Sequence, residues 1–118
     1  MAFTQTSGIL GQLINNPAGG ALTQLYSAPT GATADLSITV CNQSTSVAAN
    51  ITIVAQSGSN QSLIENQLPL APAGYPGSSF TIRAVPLGAG QAILVKNANS
   101  NVDFTAFGYT SPSNITTF

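Results

Sequence analysis

Asp35-Leu36-Ser37-Ile38-Thr39-Val40 carries an apolar side chain at every second position. A strand turns successive side chains to opposite faces, so this run lays Leu36, Ile38 and Val40 on one face and Asp35, Ser37 and Thr39 on the other. Asn50-Ile51-Thr52-Ile53 repeats the pattern, and Val102-Asp103-Phe104-Thr105-Ala106 does so again. The β-branched enrichment of these runs suits a half-buried pleated surface. Between them lie clusters that accept turn dihedrals: Ala28-Pro29-Thr30-Gly31, Asn42 to Ser46, Ser57-Gly58-Ser59-Asn60, Pro69 to Gly77, Pro86 to Gly90 and Asn97 to Asn101.

Working outward, the spacing predicts strands over 21–27, 34–42, 48–56, 62–68, 78–84, 91–97 and 101–109. Short strands at this interval read as an all-β antiparallel sandwich of about seven to eight strands, here over residues 21–110. Its expected core is Leu36, Ile38, Val40, Ile51, Ile53, Ile93, Val95, Phe104 and Ala106. Residues 1–20 read as an extended N-terminal arm and 111–118 as a C-terminal tail. Within the arm, Ile9, Leu10, Leu13 and Ile14 recur at i, i+1, i+4 and i+5, which predicts a turn or two of amphipathic helix, weakened by Gly8 and Gly11. Pro17 and Gly19-Gly20 tether it to the domain. These apolar side chains are expected to contact a neighbouring subunit or a larger assembly, with folding back onto the chain's own sandwich as the alternative.

The chain has 118 residues, enough for one domain with a real core. Only 4% of residues are charged, namely Asp35, Glu65, Arg83, Lys96 and Asp103, against about 25% in ordinary soluble domains. Solubility then rests on Ser, Thr, Asn, Gln and Gly, and so neutral a surface suits a protein packed against other protein. Two cations cannot neutralise several phosphates, so no nucleic-acid partner is expected. No basic amphipathic segment, long apolar span or signal peptide is expected, and with them no membrane. The Asn-x-Ser/Thr sequons, including the one at Asn42, read as accidents of an Asn/Ser/Thr-rich composition.

The sequence offers little chemistry. There is no His to activate a Ser or Cys, and Cys41 is alone, reading as a small half-buried packing residue. Three scattered carboxylates provide neither a glycosidase pair nor a calcium cluster, and zinc lacks its ligands. Asp35 and Asp103 fall on the polar phase of their strands, the solvated default. Arg83 could pair with Glu65 or Asp103 across a sheet or subunit boundary. No enzyme, cofactor or metal site is expected.

Leu25-Tyr26-Ser27-Ala28-Pro29-Thr30-Gly31-Ala32-Thr33 leads into a strand ending Val40-Cys41-Asn42. Leu68-Pro69-Leu70, Val85-Pro86-Leu87-Gly88-Ala89-Gly90-Gln91 and Phe104-Thr105-Ala106-Phe107-Gly108 follow in order. This set, spanning about residues 22 to 109, resembles small β-sandwich structural proteins of tailed bacteriophages, although the Pro/Gly stretch to Gly77 departs from the family's longer, more charged hairpin. The resemblance implies a non-enzymatic virion protein: a decoration or cement protein on the capsid surface, or a tail, neck, baseplate or fibre component. It implies the major capsid protein or another virion protein as partner and a homo-oligomer, with a trimer suggested by threefold capsid sites. The expected contacts are Ile9, Leu10, Leu13, Ile14 and Tyr75. A carbohydrate-binding module is the alternative from another class, with Tyr26, Tyr75 and Tyr109 as its stacking platforms.

Overall fold

The computed structural model describes residues 6–112, which form eight strands and no helix: β1 (Thr6–Asn16), β2 (Thr23–Ser27), β3 (Ala32–Asn42), β4 (Ala49–Ser57), β5 (Asn60–Leu70), β6 (Ser79–Leu87), β7 (Ala92–Ala98) and β8 (Val102–Pro112). They pair antiparallel in two four-stranded sheets, ordered β1-β8-β3-β6 and β2-β7-β4-β5. Two such sheets with this interleaved order make a jelly roll, one of the solutions by which antiparallel proteins limit their exposed edges. The alternating runs occupy the inner strands, whose apolar phase faces between the sheets. All nine residues expected in the core are buried there, with Phe104 the largest fully enclosed side chain.

The seven strands expected from the pattern are all present, with ends shifted by a few residues. The eighth is a correction. Residues 9–14 are not helical: they lie in β1, an edge strand hydrogen-bonded to β8 of the same chain. β1 carries two register shifts, one between Ile9 and Gly11 and one between Leu13 and Asn16, and the first explains the misleading spacing. An extra residue in a strand advances its face by one position, so Leu10 and Leu13, three apart, both pack on the core. Ile9 and Ile14 are left exposed. Among the described residues the sandwich therefore takes in Thr6 onward, not only 21 onward, and β8 carries it past 110 to Pro112. The remainder of the expected arm and tail, residues 1–5 and 113–118, lies outside the described residues.

Regular and irregular pairing are segregated. β3 and β8 pair over eleven consecutive positions and β4 and β7 over seven, without a shift. Every edge strand carries at least one: β1, β2, β5 and β6. Asn15, Gln67 and Ala84 take left-handed backbone conformations within three of these shifts. Pro69 and Pro86 also sit on edge strands, where a missing N–H costs no ladder bond. Bulges and prolines are two ways of stopping an edge from templating another chain, and a chain with five charges has little else to use.

Two glycines let backbones meet. A Cβ on Gly11 would collide with the carbonyl of Leu25, where β1 crosses β2 of the other sheet. Gly108 has φ +154°, and a Cβ there would fall on the carbonyl oxygen of Asp35 in the β3–β8 ladder. Backbone cannot give way as a flexible side chain can. Gly11→Ala should therefore lower stability by about 1–3 kcal/mol, as overpacking does, read as a drop in denaturant midpoint. An unchanged midpoint would show that the two sheets are not joined at this crossing.

Candidate docking surfaces

At one end of the sandwich, loops are fastened by side-chain amides rather than by charges. Asn42, the last residue of β3, is buried yet fully bonded. Its Nδ2 donates to the carbonyls of Val47 (2.9 Å) and Ala71 (3.0 Å), and its Oδ1 accepts from the Ser44 amide (3.1 Å) and the Ser100 hydroxyl (2.7 Å). Asn97, also buried, donates from Nδ2 to the carbonyls of Asn16 (3.0 Å) and Ser100 (2.7 Å) and accepts from Asn16 Nδ2 (2.7 Å). The amide of Ala73 donates to the Ser44 carbonyl at 2.6 Å, binding the 43–48 and 71–78 loops directly. Asp103 extends the set from the outer face: its carboxylate accepts from the Asn15 amide and from Gln43 Nε2. Asp103 is thus half-buried and engaged, not merely solvated as its strand phase suggested. Buried and fully bonded, the Asn42 amide has no room for a glycan on its sequon in the folded chain.

This end presents apolar side chains on a rigid base. Tyr75 is 59% exposed and Val47 45%, on the two loops that Asn42 ties together. Ile14, 67% exposed, stands at the same end, two residues before Asn16. Of the expected contact residues, the structure gathers Ile14 and Tyr75 at this end. It assigns Leu10 and Leu13 chiefly to packing. Ile9 is exposed elsewhere, on the outer face of the β1-β8-β3-β6 sheet, where it pairs with Phe107 and neighbours Tyr109. Val47 and Phe107 were not expected; only their lack of a partner strand or face in three dimensions reveals them.

The three tyrosines do not converge. Tyr109 pairs with Asp35, whereas the Tyr75 loop hangs from Asn42, seven residues further along β3 and thus about 23 Å away at ~3.3 Å per residue. Tyr26 lies half-buried on β2, where burial raises its pKa above 10.0. A separate cleft of about 430 Å³ opens on the outer face of the β2-β7-β4-β5 sheet beside Gly19-Gly20, lined by Asn50, Thr52, Gln67, Lys96 and Asn99. Most of the side chains that line it are polar and none is aromatic. Asp35, Glu65 and Asp103 stand on three different strands, and among the described residues no three His, Cys, Asp or Glu gather as a metal site would require. Cys41 is half-buried, as expected. No known family model matches the chain, and no curated protein matches it either.

Two outcomes follow. Asn42→Ala should cost at least about 2 kcal/mol, because it strands buried donors and acceptors each worth roughly 1–3 kcal/mol, and amide exchange should quicken in 43–48 and 71–78 together. Faster exchange in one loop alone would show that Asn42 does not couple them. The hydrogen bond and charge of Asp35 raise the Tyr109 pKa above 10.0. With the folded value the higher one, the contact contributes fully below pH 10.0 and is lost as pH climbs through the raised value. Tyrosinate absorbance should show Asp35→Asn lowering the Tyr109 pKa toward 10.0; an unmoved titration would break the link.

Proposed function

We propose that this chain is a virion structural accessory protein of a tailed bacteriophage, a decoration or cement protein that docks between capsid subunits on the head. The observation that carries the reading is the preorganised end: an almost uncharged domain holding Val47 and Tyr75 outward on loops locked by Asn42, with Ile14 exposed on β1 at the same end. Preordered loops lose little entropy on docking, and an exposed aromatic on a fixed base is the usual form of an interface anchor. The ordered likeness of residues 22 to 109 to phage structural proteins agrees with it, as does the jelly roll, a common architecture of viral capsid domains. Mechanically, each copy that binds only the assembled shell adds contacts that must break before the shell opens, and so stabilises it by mass action. The partner is the major capsid protein or a neighbouring virion protein, and the acting unit is a closed homo-oligomer, a trimer at threefold sites. A place in the tail, neck or baseplate is the alternative within this class.

A carbohydrate-binding module is the second reading, favoured by the amide-lined cleft around Asn50, Gln67 and Asn99 and by the occurrence of jelly rolls among lectins. Separation of the three tyrosines deprives it of the stacking platform expected from the sequence.

The test is to add purified protein to particles that lack it. Binding to empty, tailless heads, with a gain in their heat resistance, is expected, and Tyr75→Ala should weaken it by about tenfold or more, as loss of an interface anchor does. Binding to isolated tails and not to heads would overturn the capsid assignment. Saturable binding to a glycan array, abolished by changes in the cleft but not at Tyr75, would favour the second reading.

A further inference from the structure

We infer that the flank of the sandwich formed by edge strands β5 and β6 is where one copy of this chain meets the next, with Glu65 of one copy facing Arg83 of its neighbour. The inference rests on the reading of the chain as a homo-oligomer and identifies the surface that joins its copies.

The two flanks of the jelly roll differ. On one, β1 closes against β2 at the Gly11–Leu25 crossing. On the other, β5 and β6 stay apart, and a cavity of about 170 Å³ opens between Asn60 and Ser62 of β5 and Val85 and Pro86 of β6. The strip along this open flank is apolar and only half-covered: Ile64 and Leu68 on β5, Phe80, Ile82 and Val85 on β6. These side chains pack inward on the core but keep part of their surface in water.

Charge identifies the occupant. Of the five charged residues in the chain, one anion and one cation lie on these two edge strands. Glu65 is the middle residue of β5 and Arg83 the middle residue of β6. Each sits at or beside a register shift, Glu65 two residues before left-handed Gln67 and Arg83 directly before left-handed Ala84. Among the described residues no ion pair joins them or engages either with another charge. A surface holding one charge of each sign, on opposite rims of an apolar strip, is complementary to a second copy of itself. Rotation about a closed axis brings β5 of one copy beside β6 of the next and repeats the Glu65–Arg83 contact at every junction. Because the register shifts spoil both edges for ladder pairing, such a junction is made by side chains and not by a continuous sheet.

The competing role for such charges is protective, since edge-strand charges also deter unwanted pairing. The two roles predict opposite responses to neutralisation. Sedimentation velocity across a concentration series would compare the full chain with Glu65→Gln, Arg83→Gln, Glu65→Arg, Arg83→Glu and the Glu65→Arg/Arg83→Glu double variant, each checked for folding by circular dichroism. Self-association of the parent is expected, with each neutral variant weaker. Each reversal should be weaker still, by about tenfold or more, as for mismatched interfacial charges, and the double reversal should regain most of the loss. If neutralisation strengthens association, the charges are guards and the inference falls. It also falls if the double reversal stays as weak as the single ones, or if the parent is a monomer at every concentration. None of these results alters whether the protein binds heads, which the particle assay reads separately.

Discussion

Everything in this domain hangs on the alignment of β3 with β8 and of β4 with β7. In a strand the side-chain period is two, so a slip of one residue would send Leu36, Ile38 and Val40 to water and bring Asp35, Ser37 and Thr39 inside. Phe104 and Ala106 on β8, Ile51 and Ile53 on β4, and Ile93 and Val95 on β7 impose the same condition from the other strands. The inner pairs satisfy it with unbroken ladders. Irregularity is consequently expelled to the four edge strands, where one face or one side of the backbone meets solvent and a shifted register costs less. The centre specifies the fold, and the rim is free to vary in shape.

The scarcity of charge then shapes how the rim and ends are built. A protein rich in Lys and Glu can guard its edges and fix its loops with ion pairs. This chain substitutes bulges and prolines at the edges and carboxamides at the end. Asn42 and Asn97 suit that work because one amide group both donates and accepts, so a single buried side chain can hold several loops at once. All of the bonding capacity used by Asn42 goes to loop backbone or to Ser100. Such a hub avoids the desolvation penalty that a buried ion would bring. Asp103, the one carboxylate recruited to the same end, stays at the outer surface, where water still reaches it.

What could be read from the sequence follows the same division. Alternation marked the inner strands and named nine core residues correctly, because there nothing disturbs period two. It failed at β1, where the register shift at Leu10 turned strand faces into the i, i+1, i+4, i+5 pattern of a helix; Gly8 and Gly11 were the only local hint against that. The pattern marks Asn42 as the end of a strand but not as a hub, since two of its four partners, Ala71 and Ser100, lie on loops far away in sequence. Asp103 was assigned to solvent by its phase, which is right for the face and silent about the Asn15 amide arriving from β1. For the expected contacts, apolar character alone could not separate Leu10 and Leu13, which pack, from Ile9 and Ile14, which protrude.

The two proposed surfaces are also related by geometry. The β5–β6 flank runs along the strands, whereas Ile14, Val47 and Tyr75 sit where strands end. Copies joined flank to flank around an axis roughly parallel to their strands would all present the Asn42 end in the same direction. Each end offers few apolar groups and almost no charge, so one copy alone has only modest means of holding a lattice. Several ends on one rigid unit engage together, and the second and third contacts form at the high effective concentration set by the first. In such an assembly the weak anchor at each tip and the opposite charges on each flank are parts of one arrangement: the flank supplies the number of tips, and the amide network keeps every tip in the same shape.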